Sequence, residues 1–253
     1  MIDLGLEGKV CLITGAGRGV GREAALRFAA QGSRLAILAR SLEQIEAVAE
    51  EAGRSGVPVL PLRADASKPA QVRDAVARVL REYGTIDILV NNAAVNIRKP
   101  CVEYRDEEWR QIIDTNLTGY FCFCREAGKC MIRNGRGSVV NVGSELGVVG
   151  DVIGQVPYST SKGGVNQLTR CLAAEWGRFG INVNCVAPTL MDTQLTAEQF
   201  GNPAGIRAFI EKVPLGRLPQ PAEVADIILF MSSRFAAAIT GQVLLVDGGY
   251  TIL

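Results

Sequence analysis

A regular alternation of short apolar runs with longer amphipathic stretches constrains the fold of this chain most. The runs are rich in valine, isoleucine and leucine, which is typical of strands buried on both faces of a parallel sheet. The alternation continues without a linker across residues 1–253, so we predict a single α/β domain, a doubly wound seven-stranded parallel sheet with helices on both faces. The predicted strands are Val10–Thr14, Leu35–Ala39, Val57–Leu62, Ile86–Val90, Ser138–Val142, Asn182–Val186 and Val243–Val246.

Two longer irregular segments, Glu145–Pro157 and Leu190–Gly216, interrupt this rhythm after strand ends. Ligands bind beyond the carboxyl ends of parallel strands, so both segments are expected to border a site. The second, around 190–216, is long enough for a lid, with a mobile surface loop as the alternative. The predicted helices are Glu23–Gln31, Leu42–Ser55, Pro69–Tyr83, Glu107–Arg133, Tyr158–Phe179 and Pro221–Ser232.

The sequence contains no histidine. This absence excludes Ser-His-Asp and Cys-His catalysis and removes the commonest transition-metal ligand, so no metal site is expected. Proton chemistry must use tyrosine, lysine, cysteine or carboxylates. The formal net charge is +1 and no long basic block occurs, so a nucleic-acid partner is not expected.

The remaining composition favours a cytoplasmic protein. The first ten residues lack the charged start and apolar core of a secretory signal, and no apolar run is long enough for a membrane helix. The seven cysteines are an odd number, which favours reduced thiols. A metal site at Cys122 and Cys124 is the alternative, but the pair falls in an apolar helical run, so packing is favoured.

A glycine-rich turn joins the first predicted strand to the first helix, in the segment Thr14–Gly21. Glycines allow a tight turn and let backbone amides approach a pyrophosphate at the helix N-terminus, as in dinucleotide-binding Rossmann folds. The glycine spacing is Gly-x-x-x-Gly-x-Gly, whereas a flavin or nucleotide-sugar enzyme on a similar sheet predicts Gly-x-Gly-x-x-Gly. The candidate cofactor-binding residues here are Gly15, Arg18, Gly19 and Val20.

The end of the second strand indicates which dinucleotide binds. NAD sites usually place a carboxylate there to bind the ribose 2′-hydroxyl. This chain has Arg40 instead, and Arg18 in the turn supplies a second cation that can pair with a 2′-phosphate. The pattern predicts NADP(H). Two solvated surface arginines are the alternative, which leaves the missing acid unexplained.

Further motifs complete a recognisable set. In order and spacing they resemble the short-chain dehydrogenase/reductase family over nearly the whole chain. With Thr14–Gly21, the matching positions are Asp65, Asn91-Asn92-Ala93-Ala94, Asn116, Ser144, Tyr158-Ser159-Thr160-Ser161-Lys162, Pro188 and Asp247-Gly248-Gly249.

Tyr158 and Lys162 carry the predicted chemistry. They are four residues apart, so they share one face of a helix. An ammonium about 4 Å away interacts with a phenolate by up to about 4 kcal/mol at an effective dielectric near 20. Because about 1.4 kcal/mol equals one pKa unit, we expect the pKa of Tyr158 to fall towards neutral pH.

The resemblance implies the catalytic roles. Tyr158 exchanges a proton with the reacting oxygen, Lys162 also holds the nicotinamide ribose, and Ser144 polarises the oxygen. Asn116 is implied to hold a water that relays protons to Lys162. Without the family context, Asn116 could simply face solvent.

The resemblance also implies the remaining cofactor contacts. Asp65 approaches the adenine, Asn92 and Ala93 run along the adenosine ribose, and Pro188, Thr189 and Thr193 lie near the nicotinamide. Ala94 and Thr189 stand where the family usually has glycine. If either position requires a positive φ, the side chain costs about 1 kcal/mol.

The substrate is expected to be a small carbonyl or alcohol compound. Arg98 and Lys99, in the loop after the fourth strand, could attract a substrate carboxylate or phosphate. This region is similar to gluconate-type sugar-acid dehydrogenases. Another similar subgroup, the 3-oxoacyl-[acyl-carrier-protein] reductases, docks an acidic carrier on arginines. This chain has Gly135 and Phe179 at the matching spots, beside Arg136 and Arg178.

Two apolar segments predict self-association as a homotetramer. The run from Tyr120 to Cys124 is apolar all round its predicted helix, and Val243–Leu253 is also largely apolar. A function of another class, a dinucleotide sensor or scaffold without turnover, is the remaining alternative. Degenerate members of such families typically lose the tyrosine or the lysine, and this chain keeps both.

Overall fold

A parallel sheet lies at the centre of the protein, in a computed structural model that describes residues 3–150, 154–191 and 203–252. Its strands are β1 (Val10–Thr14), β2 (Arg34–Ala39), β3 (Val59–Arg63), β4 (Ile88–Asn91), β5 (Gly137–Val142), β6 (Ile181–Pro188) and β7 (Val243–Val246). Their order is β3-β2-β1-β4-β5-β6-β7, and each neighbouring pair is parallel. The order reverses between β1 and β4, which opens a crevice at their carboxyl ends. The predicted fold class is confirmed, and no strand end is displaced by more than two residues.

Helices cover both faces of this sheet. They are α1 (Gly19–Ala30), α2 (Leu42–Gly53), α3 (Pro69–Tyr83), α4 (Asp106–Ile113), α5 (Gly119–Asn134), α6 (Val156–Trp176), α7 (Pro203–Ile210) and α8 (Pro221–Ser232). Apolar side chains of α1, α2 and α8 pack on one face. Those of α3, α5 and α6 pack on the other, so the sheet is buried on both sides, as its unbroken apolar strands require.

The predicted long helix Glu107–Arg133 is present as one continuous helical segment over residues 106–134, but its middle is not α-helical. A π-helical turn, Asp114–Thr118, separates α4 from α5. Within it, Asn116 bonds the backbone of Val95, and at the start of α5 a Cβ on Gly119 would lie 2.6 Å from the Ala66 carbonyl oxygen. These contacts to distant loops favour the wider turn, and π-turns of this kind frequently occur at functional sites.

The two predicted irregular segments contain short helices. A 3₁₀ turn forms at Glu145–Gly147, and α7 lies inside the predicted lid region Leu190–Gly216. Residues 151–153 and 192–202 lie outside the described part of the chain, and Thr193 is among them. The lid therefore stays a prediction.

The apolar run from Tyr120 to Cys124 is mostly buried within the chain itself. Tyr120, Cys122, Phe123 and Cys124 are buried, whereas Phe121 is 44% exposed. The argument for a partner from this run therefore rests on Phe121 alone. All seven cysteines are free thiols, and no group of side chains suited to a metal ion occurs in the described residues. None of the described helices combines the length and apolar character needed to cross a membrane.

Candidate active site

The glycine turn after β1 forms one wall of the crevice. Gly15 and Gly19 have φ of +67° and +55°, in the left-handed region that favours glycine. A Cβ on Gly15 would also lie 2.8 Å from the Cα of Ala93, so this glycine permits the close approach of two loops. Val20 is buried beneath the turn, and the turn opens directly into α1.

Thr14 and Asn92 bind the carboxyl ends of β1 and β4 together. The Thr14 hydroxyl accepts hydrogen bonds from the backbone N–H groups of Asn92 and Ala93, at 3.0 and 3.1 Å. The Asn92 side chain donates to the carbonyls of Thr14 and Gly15, both at 3.0 Å. The position of Asn92 is thus fixed by the strand ends, at the point where the sheet order reverses.

A cleft of about 780 Å³ lies along these strand ends. That volume falls within the roughly 300–1,000 Å³ of small-molecule and cofactor sites. The predicted cofactor-binding residues that line it are Gly15, Arg18, Gly19, Val20, Arg40, Asp65, Asn92 and Ala93. Ser41 and Gln44 also line it beside Arg40, and the sequence analysis did not assign them to the site. Ser41 could have been found from its position as the N-cap of α2, where its hydroxyl accepts from the Gln44 N–H at 3.4 Å.

Ala94 and Thr189 do not strain the backbone. Neither has a positive φ, so the expected cost of a side chain there does not arise. Pro188 ends β6 and is buried, as is Thr189 directly after it. Met191 lines the cleft two residues further on, so the end of β6 connects the cleft to the site of Thr189.

Tyr158 and Lys162 lie on the same side of α6. The Lys162 Nζ is 5.6 Å from the centre of the Tyr158 ring. Lys162 is only 1% exposed, and its Nζ donates to the Val142 carbonyl at 2.7 Å and lies 3.5 Å from the Tyr120 hydroxyl. Both predicted catalytic side chains therefore meet at the carboxyl end of β5, which ends at Val142.

Comparisons with known proteins agree with this arrangement. A family model described as enoyl-(acyl carrier protein) reductase matches residues 15–251. A 3-oxoacyl-[acyl-carrier-protein] reductase of Thermotoga maritima is 39% identical, over 98% of this chain and 99% of that protein. D-threitol dehydrogenase of Mycolicibacterium smegmatis is 38% identical, over 99% and 95%. The solved structure of a proposed gluconate dehydrogenase from Agrobacterium tumefaciens has a TM-score of 0.95 at 34% identity, over 100% of each chain.

The chain belongs to the short-chain dehydrogenase/reductase family. It is an oxidoreductase that acts on CH–OH groups and interconverts alcohols and ketones. The family uses a nicotinamide dinucleotide, and the cleft fits one. Its volume is within the range of cofactor sites, and between Gly15 and Gly19 the turn carries only the side chains of Ala16 and Arg18.

The electrostatics of Tyr158 differ from the expectation drawn from the sequence. Burial raises the pKa of Tyr158 above its usual value, and the nearby charge of Glu145 raises it further. A hydrogen bond with Ser144 and the charge of Arg98 act in the opposite direction. Burial also lowers the pKa of Lys162 to about 8. The expected lowering of the Tyr158 pKa by Lys162 is therefore wrong for the protein alone, since the ammonium bonds to Val142 and is itself desolvated.

Ser144 follows β5 and bonds to a neighbour that the sequence analysis did not assign to the site. Its Oγ lies 2.5 Å from Oε2 of Glu145 and accepts from the Leu146 N–H at 3.2 Å. The other carboxylate oxygen of Glu145 accepts from the Thr189 hydroxyl at 3.1 Å. Glu145 is 5% exposed, and burial raises its pKa. A carboxylate directly after the predicted serine was the available signal.

Asn116 is fully buried and its side chain is occupied. Its Oδ1 accepts from the Val95 N–H and its Nδ2 donates to the Val95 carbonyl, both at 2.9 Å. The Nδ2 group also donates to the Ser161 hydroxyl at 3.2 Å. The side chain thus joins the loop after β4 to α6, and the alternative of a solvent-facing asparagine is wrong.

Arg98 and Lys99 are adjacent in the sequence but contact different residues. The Lys99 Nζ pairs with Glu108 at 2.5 Å and lies over the ring of Tyr104. Arg98 instead donates from Nε to the buried Gln155 at 3.2 Å, and it is close enough to lower the pKa of Tyr158. Of these two cations, Arg98 is the one whose charge acts on Tyr158.

Proposed function

We propose that this enzyme is an NADP(H)-dependent oxidoreductase whose substrate is a small polar compound such as a sugar acid, as in gluconate 5-dehydrogenases. The observation that carries the substrate class is the charge of Arg98 beside Tyr158. A carboxylate on the substrate would pair with the guanidinium, while the carbon to be oxidised or reduced faces Tyr158. The similarity to a proposed gluconate dehydrogenase supports the same class.

The preference for NADP(H) rests on the cations beside the end of β2. Arg18 and Arg40 line the same cleft, and Ser41 adds a hydroxyl at the N-terminus of α2. A 2′-phosphate would find two guanidinium groups and the N-terminus of a helix there. No carboxylate follows β2 to repel it, since Ala39 is succeeded by Arg40 and Ser41.

The proposed roles of the catalytic residues follow from their places. Tyr158 gives a proton to the reacting oxygen in reduction and removes it in oxidation, and its raised pKa keeps the proton on the phenol in the resting protein. Ser144 hydrogen-bonds the same oxygen, and Lys162 orients the nicotinamide ribose. Both N–H groups of the Asn116 side chain are already bonded, so Asn116 would hold the water that connects Lys162 to solvent through a carbonyl oxygen. When bound, the cofactor supplies or accepts the hydride and, oxidised, adds a positive charge that favours the phenolate.

A 3-oxoacyl-[acyl-carrier-protein] reductase is the second candidate, because the relative from Thermotoga maritima carries that name at 39% identity. Against it, the docking cations expected from the sequence have other contacts. The Arg136 Nε lies 3.5 Å from Asp87, and Arg178 stacks on the ring of Phe179. A carrier protein would have to displace both contacts.

A steady-state screen separates the two candidates. The probes are 5-keto-D-gluconate, galactitol and acetoacetyl-coenzyme A, each with NADP(H) and NAD(H). We expect the sugar acid to give the highest kcat/KM, with NADPH. Preference for acetoacetyl-coenzyme A would favour the second candidate instead.

The substitution Arg98→Gln tests the role of the guanidinium. Loss of a charge-assisted contact should raise KM for 5-keto-D-gluconate about tenfold or more and leave KM for the uncharged galactitol nearly unchanged. Lys99→Gln is the matched control, because Lys99 already pairs with Glu108. Equal effects of the two substitutions would contradict the assignment.

We also propose that the enzyme is a cytoplasmic homotetramer. The free thiols suit a reducing compartment. The strand β7 lies at the edge of the sheet, and Leu244 on it is 37% exposed. Phe121 on α5 and Phe230 on α8 are exposed as well. Unpaired sheet edges and exposed apolar groups are commonly covered by another subunit.

The alternative of a dinucleotide sensor without turnover is disfavoured because Tyr158 and Lys162 lie on the same side of α6.

A further inference from the structure

The carboxyl group of Glu145 is buried at the reacting centre, and the proposed reaction gives it no task. It lies beside Ser144 at the end of β5, with its two oxygens bonded to the hydroxyls of Ser144 and Thr189. Backbone N–H groups of Glu145 and Leu146 also donate to this carboxyl group and favour its charged form, but burial outweighs these donors and raises its pKa. Among the described residues no cation forms an ion pair with it. A buried carboxyl of this kind changes its protonation more readily than an ion-paired one.

The number of hydrogen bonds that the Ser144 hydroxyl can donate and accept limits its role. A hydroxyl has one hydrogen to donate and two lone pairs that accept. One lone pair already takes the Leu146 N–H, and in the protein alone the Tyr158 hydroxyl is hydrogen-bonded to Ser144 as well. If Glu145 is ionised, the single hydrogen must point to its Oε2, and Ser144 offers the reacting oxygen only a lone pair. If Glu145 is protonated, the acid donates to Ser144, and the serine hydrogen is released towards the reacting oxygen.

We propose that Glu145 is a positioning residue that decides whether Ser144 can donate a hydrogen bond to the reacting oxygen. A ketone oxygen needs such a donor, and so does the oxygen of an alcohol, whose single hydrogen goes to Tyr158 in oxidation. Protonated Glu145 therefore frees the Ser144 hydrogen for the reacting oxygen, and ionised Glu145 withdraws it. The proton moved in the reaction is still that of Tyr158, and Glu145 exchanges none with the substrate.

Thr189 gains a role in the same cluster. Its hydroxyl stands where the family usually has a glycine and donates to Oε1 of Glu145 at 3.1 Å. This bond orients the carboxyl so that Oε2 faces Ser144. Because a donor to a carboxylate stabilises its charged form, Thr189 also sets the pH at which Glu145 ionises.

Other charged groups near the cluster act in separate pH ranges. Tyr158 from α6 and Arg98 from the loop after β4 face it, with Lys162 and Cys185 beyond Tyr158. The pKa of Tyr158 is raised, that of Cys185 is raised to about 12, and that of Lys162 is about 8. Burial raises the pKa of Glu145 above the usual value of a carboxyl group. In a pH profile, the limb on the acid side therefore belongs to Glu145 and the limb on the alkaline side to Lys162.

The proposal rests on the proposed roles of Ser144 and Tyr158, and the first test measures the pH dependence of reduction. The probe is ethyl acetoacetate with NADPH, a neutral ketone that requires neither Arg98 nor a carrier. As the pH rises through the ionisation of Glu145, kcat/KM should fall about tenfold because Ser144 loses its free hydrogen.

Variants identify the group that causes the acid limb of the pH profile. Glu145→Gln should remove the acid limb and keep the alkaline limb. Thr189→Val should move the acid limb to higher pH, since it removes a donor to the carboxylate. Glu50→Gln, on the exposed surface of α2, is the control and should leave the profile unchanged. A rate that falls equally at every pH in Glu145→Gln, or a wild-type profile without an acid limb, would overturn the proposal.

An infrared measurement makes the outcome independent of turnover. Difference spectra of the cofactor-free protein between about pH 5 and about pH 8 report the carbonyl stretch of protonated carboxyl groups. One such band should be present in the wild type, absent in Glu145→Gln and shifted to higher pH in Thr189→Val. The same band in wild type and Glu145→Gln would overturn the proposal even if the substrate class were correct. Failure on sugar acids with the band present would contradict the proposed substrate alone.

Discussion

Replacing Lys162 by methionine should make this enzyme more stable while abolishing its activity. Lys162 is 1% exposed, and burial lowers its pKa from 10.5 to about 8. The ammonium is therefore held in the fold at a cost in stability that the active site requires. Methionine has a similar length and no charge, so it fills the same space.

The size of the effect follows from the pKa difference. The gap between 10.5 and about 8 corresponds to about 3 kcal/mol of the free energy of unfolding, at about 1.4 kcal/mol per pH unit. Loss of the hydrogen bond from Nζ to Val142 offsets about 1 kcal/mol. The Val142 carbonyl keeps the Tyr120 hydroxyl as a donor at 3.2 Å, so it is not left unpaired. We expect Lys162→Met to gain about 2 kcal/mol at pH 7.

The sign of the pH dependence is fixed by the lowered pKa. Below about pH 8 the folded and the unfolded chain both carry the proton, so the full cost is present. Between about pH 8 and 10.5 only the unfolded chain keeps the proton, and the stability of the wild type rises with pH. The advantage of Lys162→Met should therefore disappear by about pH 10.

Urea unfolding of the cofactor-free protein, followed by tryptophan fluorescence, measures this difference at pH 7 and pH 10. Lys68→Met is the control: Lys68 is exposed before α3, so its replacement should change the free energy of unfolding by less than about 0.5 kcal/mol. If Lys162→Met were less stable than the wild type at pH 7, the claim that burial of the ammonium destabilises the fold would be refuted.

Three further outcomes are expected. Tyr158→Phe should lower kcat by about 10²–10⁴-fold with NADPH affinity by fluorescence titration nearly unchanged, and substantial residual turnover would remove its assigned role. Arg40→Asp should invert the ratio of kcat/KM for NADPH and NADH; an unchanged ratio would make Arg40 a surface residue. Sedimentation velocity at micromolar concentration should give a tetramer, and a monomer would contradict the assembly.

The strands and most helices could be predicted because their signals are local. β1 has the predicted bounds, since its unbroken apolar run is buried on both sheet faces. β7 also has them, although it lies at the sheet edge and is only partly buried. α3 also has its predicted bounds, with a proline in the first turn and Gly84 in the left-handed conformation after its end. The π-helical turn at Asp114–Thr118 could not be predicted, because its contacts and those of Gly119 beside it are with Val95 and Ala66 in distant loops.

The site could be predicted in part for the same reason. Tyr158 and Lys162 share a helix face, which their spacing determines. The direction of the Tyr158 pKa could not be predicted, because it depends on burial and on Glu145 rather than on the lysine alone. The different contacts of Arg98 and Lys99 also depend on the tertiary fold. Arg98 contacts Gln155, which is distant in sequence, and Lys99 contacts Glu108, which lies on α4.

The sequence by itself determined the order of the elements, the glycine turn, the cations after β2 and the shared helix face of Tyr158 and Lys162. Each of these follows from neighbouring residues, whose spacing sets which side chains share a face or a turn. Only the tertiary structure decided that Glu145 and Thr189 meet at Ser144, because β5 and β6 pair side by side and bring residues 44 positions apart together. Burial likewise depends on the packed layers, and it is burial that sets the protonation of Tyr158, Lys162 and Glu145.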